Sequence, residues 1–358
     1  MIALFCETPY QLMNGLNLVY NEFDEECVLF ITRDMFCSDT KFEIDFATTE
    51  KSRIKKVIYV ERYVDIQYPV TLGQRIKFKM WRIFSEDKRE TLLKYIPDYD
   101  FNITFHRIIA YKYSAAAYAL EAYMGYSLPV DCVEEGIGEY ILSQDESACK
   151  IMKYCECKYL TEPSLYPQTK ETVKGMPKLE HCQELMDEYE RLFHFRKDIG
   201  KYGRTIYFDQ PLAADYHLPG IAEKERACFE ILEQYSGTFT VKVHPRGSME
   251  EVPGGTLLRT ITPWECIAGE LPEMEDQILI SVVSTCLATP KFLYGKEPYL
   301  IILIRLFEKE FQNIYPESHY YERAIQFFEN VCHIYKNKNK VFLPADLEEL
   351  EQIIKALQ

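Results

Sequence analysis

Three short polar motifs supply side chains that could bind an anion and move a proton beside it. In the first, Lys242, His244 and Arg246 follow an alternating apolar run, and Pro245 ends that run. A histidine in this setting can donate to a phosphate oxygen and stabilise charge on a leaving group. A single histidine at a strand end is more often structural, whereas the flanking cations favour the chemical role.

The second motif is a pair of hydroxyl side chains. Ser284 and Thr285 end the apolar run of ISVVSTCLATP and open a helical segment. Hydroxyls and the free N–H groups of a helix start together make an anion site. The alternative is that the pair only caps the helix, which is a common use of these residues.

The third motif is a pair of carboxylates, Glu134 and Glu135, followed by Gly136. Adjacent carboxylates crowd like charge, which tends to raise the pKa of one of them. A carboxylate tuned in this way can accept the proton of an attacking hydroxyl. Acidic residues that merely complement a helix dipole are the alternative interpretation.

Apolar strand patterns that alternate with helical patterns place these motifs at strand ends. The first part of the chain predicts strands at Ile2–Cys6, Cys27–Thr32, Lys56–Val60, Phe101–Phe105 and Val130–Glu134. Thr8 and Pro9 predict a capped helix start after the first strand, and Ser114–Met124 predicts a helix packed on a sheet. The alternation indicates an α/β protein with parallel sheets, in which ligands bind at the carboxyl ends of strands.

The same alternation restarts further along the chain. The predicted strands there are Thr205–Phe208, Thr238–Val243, Thr256–Arg259, Gln277–Ser281 and Pro298–Leu303, and a closing helix covers Ala345–Leu357. Between the two alternating parts, three prolines and a charged helix over Glu180–Phe195 predict a connection. We therefore expect domains at 1–155 and 201–358, joined by a linker and helix at 156–200.

Composition restricts the partners and the compartment. The chain has 358 residues, a formal net charge of −15 and 12 cysteines. The charge argues against a nucleic-acid partner, although local donors can still hold a small anion. We expect neither a membrane span nor a secretory signal, and we expect reduced, cytoplasmic cysteines. Cys155, Cys157, His181 and Cys182 have poor spacing for zinc, so we expect no metal site.

The three motifs resemble the acid-acid-glycine, His-Pro and paired Ser/Thr motifs of bacterial sialyltransferases. The stretch ITPWECIAGELP before the hydroxyl pair is similar to a stretch of that family, and ETPYQL resembles the start of its lipooligosaccharide branch. The resemblance implies a GT-B fold, two doubly wound Rossmann-like domains with a cleft between them. It also implies inverting, metal-independent transfer from CMP-sialic acid, with no cofactor, to a terminal galactose of a lipooligosaccharide or capsule-type glycan.

The resemblance also implies roles for individual residues. His244, with Pro245, would bind and polarise the departing CMP phosphate, which Ser284 and Thr285 would also hold. Glu265 would accept hydrogen bonds from the ribose hydroxyls. For the catalytic base the alternatives are Glu135, where the family has an aspartate in one branch, and Asp209 or Asp215 in YFDQPLAADYH. The more complete motif around Glu135 favours Glu135.

Other functions fit the same motifs. A glycerophosphotransferase or a Kdo transferase would also use a cytidine nucleotide on this fold, and a catalytically dead scaffold of a polysaccharide-synthesis complex is the non-enzymatic alternative. The sequence is compatible with a homodimer. Basic and large apolar residues alternate over 71–84, and they suit either a core helix or a peripheral contact with the inner face of the membrane.

Overall fold

The computed structural model describes residues 1–32, 46, 49–60, 88–111, 114–142, 155–167, 172–179, 182–212, 220–247, 249–314 and 319–358. The described residues fall into two compact units. The first lies within Met1–Glu135, Ser143–Pro177 and His181–Phe193, and the second within Gly136–Leu142, Lys178–Glu180 and His194–Gln358. The short segment after Glu135 thus belongs to the second unit, although the chain around it belongs to the first.

Strands and helices alternate along most of the described chain. From the start to Phe193 they are β1 (Ile2–Cys6), α1 (Pro9–Asn21), β2 (Cys27–Thr32), β3 (Ile54–Val60), α2 (Lys88–Tyr95), β4 (Arg107–Ala110), α3 (Ala115–Tyr123), β5 (Val130–Val133), α4 (Gly138–Leu142), β6 (Cys157–Leu160), β7 (Val173–Gly175) and α5 (Gln183–Phe193). They continue with α6 (Arg196–Ile199), β8 (Thr205–Phe208), α7 (Ile221–Ser236), β9 (Phe239–Lys242), β10 (Gly255–Leu258), α8 (Trp264–Glu270), β11 (Ile278–Ser281), α9 (Thr285–Tyr294), β12 (Tyr299–Ile302), α10 (Glu308–Ile314), α11 (Tyr320–Ile334), β13 (Val341–Phe342) and α12 (Leu347–Leu357).

Each unit contains one parallel sheet of the doubly wound type. In the first unit the described strands lie in the order β3-β2-β1-β4-β5-β6-β7, and in the second in the order β10-β9-β8-β11-β12-β13. All described pairings are parallel. In each sheet the order reverses after the strand that starts the unit, which is the Rossmann arrangement and creates a switch point for ligands.

Local chemistry explains how the first strand leads into a helix. All five residues of β1 are buried, as expected for a strand covered on both faces. Thr8 then caps α1 by accepting the N–H of Gln11. Pro9 occupies the first turn, where the N–H that proline lacks would have no partner within the helix. The predicted strand and helix start are confirmed.

One predicted strand is wrong. The run Phe101–Phe105 alternates in hydrophobicity, but the strand in this part of the chain is β4, which pairs with β1 two residues further on. The reason is local, because the Asp100 side chain accepts the N–H of Asn102 at 3.0 Å and fixes a turn. Phe105 is still buried, since its ring packs near Phe30 and Tyr99 in the core.

The expected linker also differs from what the structure contains. Part of 156–200 forms β6 and β7, which extend the first sheet beyond β5. The prolines at 163, 167 and 177 lie in the connections after these short strands. Each of these short strands contains a lysine, Lys158 or Lys174, so neither is a continuous apolar run that would predict a strand.

The expectation that the cysteines are reduced fails for one pair. Cys132 in β5 and Cys155 form a disulfide, with Cα atoms 6.2 Å apart. The pairing of β5 with β6 brings the segment just before Cys157 alongside Val130. Eight further cysteines in the described ranges form no disulfide.

No described helix is both long and apolar enough to span a membrane. The amphipathic stretch 71–84, for which a membrane contact or a core helix was considered, lies outside the described residues.

Candidate functional site

The carboxyl edge of the second sheet collects most of the candidate residues. Asp209 follows β8, His244 follows β9, and Ser284 follows β11. Because β8 lies between β9 and β11, these three side chains come from adjacent parallel strands. The gap between β8 and β11 is the switch point of this sheet, where doubly wound folds bind their ligands.

Asp209 supports the turn that carries His244. Its Oδ2 accepts the backbone N–H of His244 at 3.1 Å, and its side chain is buried. A Cβ on Gly247 would collide with the same oxygen, so a larger residue there would displace the turn. Burial raises the pKa of Asp209, opposed by hydrogen bonds from the N–H groups of His244 and Gln210 and by the charge of Arg259. The geometry makes Asp209 a positioning residue for the turn.

The turn also sets the tautomer of His244. The N–H of Arg246 donates to Nδ1 of His244 at 3.1 Å. A neutral imidazole that accepts at Nδ1 carries its proton on Nε2. His244 is half-buried, whereas Pro245 and Arg246 are exposed. The imidazole can therefore present an N–H donor to a ligand at the sheet edge.

The hydroxyl pair lies at the start of α9. Ser284 caps this helix by accepting the N–H of Cys286 at 3.3 Å. Thr285 Oγ1 accepts the N–H of Ile137 at 3.1 Å, within the second unit. Each hydroxyl uses its oxygen as an acceptor in these bonds, so its proton is available for donation to an anion. The cap interpretation and the anion-site interpretation are thus compatible.

Gly136 is the residue that allows this contact of Thr285. Its φ of +125° lies in a region that side-chain-bearing residues rarely adopt, and a Cβ there would collide with Thr285 Oγ1. The helix that follows, α4, packs through the ring of Tyr140 against Phe292 and Phe327. Glycine in the acid-acid-glycine motif therefore has a definite packing reason.

Gln210 is a site residue that sequence analysis missed. Its Oε1 accepts the N–H of Val283 at 2.7 Å, and its Nε2 donates to the carbonyl oxygen of the same residue. Ser281 Oγ donates to the Phe208 carbonyl at 2.8 Å, beside this clamp. These bonds fix the end of β8 to the end of β11. The signal in the sequence was the polar stretch from Asp209 to Pro211, which directly follows a buried strand.

Glu265 lies in the first turn of α8 and is 3% exposed. Two bonds fix the surrounding helices, from the Tyr294 hydroxyl to the Glu265 carbonyl at 2.9 Å and from Trp264 Nε1 to the Cys286 carbonyl at 3.0 Å. Burial, with the charge of Glu265, raises the pKa of Cys286 to about 12. The Glu265 carboxylate therefore lies within electrostatic range of the start of α9.

The acid pair belongs to the first unit, at the carboxyl end of β5. Glu134 is buried and accepts hydrogen bonds from the Tyr10 hydroxyl and from both the N–H and the hydroxyl of Thr161, at 2.7–2.8 Å. Glu135 is exposed. The two carboxylates therefore differ in role, since Glu134 is a structural acceptor and Glu135 is accessible.

The structure thus brings Asp209, His244, Ser284 and Thr285 to one edge of one unit, with Glu265 nearby. Glu135 lies in the other unit, and Asp215 lies outside the described residues. No group of three or more His, Cys, Asp or Glu side chains within the described ranges could hold a metal ion.

A half-buried carboxyl on α7 contacts β8, the strand that precedes Asp209. Glu225 on α7 accepts the hydroxyl of the fully buried Tyr207 at 3.1 Å. Burial, together with the charge of Asp209, raises the pKa of Glu225 from 4.5 to about 7. The folded protein consequently favours the protonated form of Glu225 more than the unfolded chain does.

This shift predicts a pH dependence of stability. The stabilisation from Glu225 is fully present below pH 4.5 and is lost as the pH rises through about 7. We expect it to amount to at most about 3 kcal/mol. Glu225→Gln keeps an acceptor for Tyr207 and should lack this dependence, so urea unfolding at several pH values should give a wild-type-to-variant difference that grows from pH 4.5 to 7. Parallel curves for the two proteins would contradict the assignment.

Comparisons with known proteins identify similar folds among solved structures. No protein-family model matches the chain, and no curated protein sequence matches it. Arabidopsis thaliana UGT89C1 complexed with UDP-L-rhamnose is similar in structure, with a TM-score of 0.50, 10% identity, and coverage of 99% of this chain and 89% of that one. UDP-GlcNAc 2-epimerase from Methanocaldococcus jannaschii has a TM-score of 0.45, 9% identity and 99% coverage of both chains. Acinetobacter baumannii MurG has a TM-score of 0.45 and 11% identity over 99% of this chain and 90% of that one.

The two Rossmann-like units and the likeness to UGT89C1 define the fold as GT-B. The fold class expected from the sequence, α/β with two doubly wound units, is confirmed.

Proposed function

We propose that the chain is a sialyltransferase that moves sialic acid from CMP-sialic acid to a terminal galactose of a surface glycan. One observation carries the proposal: the His244 turn and the hydroxyl-bearing start of α9 lie at the same sheet edge, on either side of β8, which Asp209 follows. Such a set of donors suits a phosphate that gains negative charge as it leaves. A GT-B structure in complex with UDP-L-rhamnose is consistent with a nucleotide-sugar donor.

The leaving group is the part of the reaction that these residues would assist. As the bond from the anomeric carbon to the phosphate oxygen breaks, CMP takes the electron pair. His244 Nε2–H donates to the phosphate, and the protons of Ser284 and Thr285 with the positive end of α9 offset its charge. These groups supply the stabilisation for which other transferases use a divalent metal.

The acceptor hydroxyl must lose its proton while its oxygen attacks the anomeric carbon from the opposite side. Glu135 is our choice for this base because it is exposed, whereas Glu134 already accepts three hydrogen bonds. Asp209 is the second candidate, but it is buried and holds the His244 turn. Attack opposite to the leaving CMP inverts the anomeric configuration. With these substrates, the proposal puts the reaction in the cytoplasm, at the inner face of the membrane.

A nucleotide panel tests the donor class. CMP should raise the melting temperature of the protein more than CDP, UMP or UDP at equal concentration, because a ligand that binds the folded state more tightly stabilises it more. A preference for CDP would favour a glycerophosphotransferase instead. No shift with any of the four would favour a non-catalytic scaffold.

The 2′-deoxy analogue tests the role of Glu265. A buried carboxylate that accepts from ribose hydroxyls loses a partner when one hydroxyl is absent. We expect 2′-deoxy-CMP to bind about 10-fold or more weaker than CMP by calorimetry. In Glu265→Gln the two nucleotides should differ less. Equal binding of both nucleotides by the wild type would leave Glu265 with a purely structural role in α8.

A further inference from the structure

Lys242 is a nearly buried cation that no assigned role explains. It is the last residue of β9, it is 9% exposed, and its neighbours across the sheet are Phe208 and Leu258. In the described part of the chain, no carboxylate and no hydrogen-bond acceptor contacts its ammonium group. A buried charge without a partner is costly, so its retention calls for an anionic ligand.

The charge of Lys242 acts on Cys286 at the start of α9. The charge of Lys242 lowers the pKa of that thiol, against the larger effects of burial and of Glu265. Cys286 is the second residue of α9, directly after Ser284 and Thr285. Two strand spacings, roughly 10 Å, separate β9 from β11. The ammonium group of Lys242 therefore lies within electrostatic range of the start of α9.

We propose that Lys242 binds an anionic oxygen of the donor phosphate, together with His244 and the hydroxyls that begin α9. The inference rests on the proposed function for the identity of the donor, and it adds a specificity residue to that site. A point charge at this place favours the phosphorylated nucleotide over the nucleoside. It also holds the leaving CMP without a metal.

Two measurements distinguish this role from a structural one. Lys242→Met should lower the affinity for CMP by about 10- to 100-fold and leave the affinity for cytidine unchanged, since only CMP carries the phosphate. The melting temperature of the ligand-free variant should be unchanged or higher by about 2–4 °C, because an uncompensated buried charge is removed. A residue needed for packing would instead lower the melting temperature.

Lys355→Met is the matched control. It also removes one positive charge from the second unit, but Lys355 is exposed and pairs with Glu351 on the same helix. We expect this control to bind CMP and cytidine as the wild type does. A loss of CMP affinity in both variants would indicate a long-range charge effect and would overturn the proposal.

Other outcomes are equally decisive. Equal losses of affinity for CMP and cytidine in Lys242→Met would overturn the proposal. Unchanged CMP binding with weaker CMP-sialic acid binding would also overturn it, because that result would assign Lys242 to the sugar carboxylate.

If the wild type binds uridine nucleotides instead, the same comparison is made with UMP and uridine. A loss of affinity for UMP alone would then support the role of Lys242, although the proposed sialyl transfer would fail. If no nucleotide binds, inorganic phosphate should still raise the melting temperature of the wild type and not of Lys242→Met, and its failure to do so would overturn the proposal.

Discussion

Replacement of His244 by asparagine should lower turnover with CMP-sialic acid by about 10²-fold or more, the size expected for losing a donor to the leaving group. The N–H of Arg246 donates to Nδ1 of His244, so the remaining ring nitrogen is the donor. The asparagine side-chain oxygen can accept from Arg246 in place of Nδ1, and the turn held by Asp209 is kept. The variant therefore removes the Nε2 donor and keeps both backbone hydrogen bonds of the turn. Steady-state release of CMP is the measurement.

His244→Gln provides the control for this result. Glutamine can place an N–H near the position of Nε2, so we expect it to recover part of the lost turnover. Both variants should unfold at temperatures near that of the wild type. Near wild-type turnover of His244→Asn would remove the imidazole from the mechanism.

Glu135→Gln should reduce the transfer rate by about 10²- to 10⁴-fold and leave CMP affinity nearly intact. The reason is that the base acts on the acceptor hydroxyl, whose proton is lost only in the transition state. Single-turnover transfer and calorimetry with CMP separate the two effects. Because Glu135 is exposed, the change to glutamine should not affect folding.

Two aspartates serve as the comparison for Glu135. Asp209→Asn weakens the acceptor of the His244 N–H, so we expect it to reduce CMP affinity and transfer together. Asp215→Asn completes the set of candidates for the base. Transfer that survives Glu135→Gln and collapses in an aspartate variant with normal CMP affinity would move the base to that aspartate.

Strands that are continuous apolar runs could be predicted from the sequence, whereas β6 and β7, which contain lysines, could not. The bounds of β1, β2 and β8 agree with their predicted ranges, because each is a continuous buried run. In β6 and β7 a lysine interrupts the apolar run, and these strands form because the edge of the first sheet offers hydrogen-bond partners. At Phe101–Phe105 the side chain of Asp100 outweighed the alternation by fixing a turn.

In the candidate site, the sequence predicted the main residues but not the contacts that support them. His244, Ser284 and Thr285 stood out because each follows a recognisable strand. Their supports join residues that are far apart in sequence: the bond from His244 to Asp209 spans 35 residues and the bond from Val283 to Gln210 spans 73. No spacing rule links such pairs before the sheet order is known. The distinction between Glu134 and Glu135 likewise depends on Thr161, which only the pairing of β5 with β6 brings close.

The most direct test of the proposed function is a transfer reaction followed by NMR. Purified protein, CMP-sialic acid and a galactose-terminated oligosaccharide are incubated with a metal chelator present. We predict a sialylated product of inverted anomeric configuration, formed in equal amount with CMP. The absence of that product, with turnover of another cytidine-nucleotide donor such as CMP-Kdo or CDP-glycerol under the same conditions, would contradict sialyl transfer.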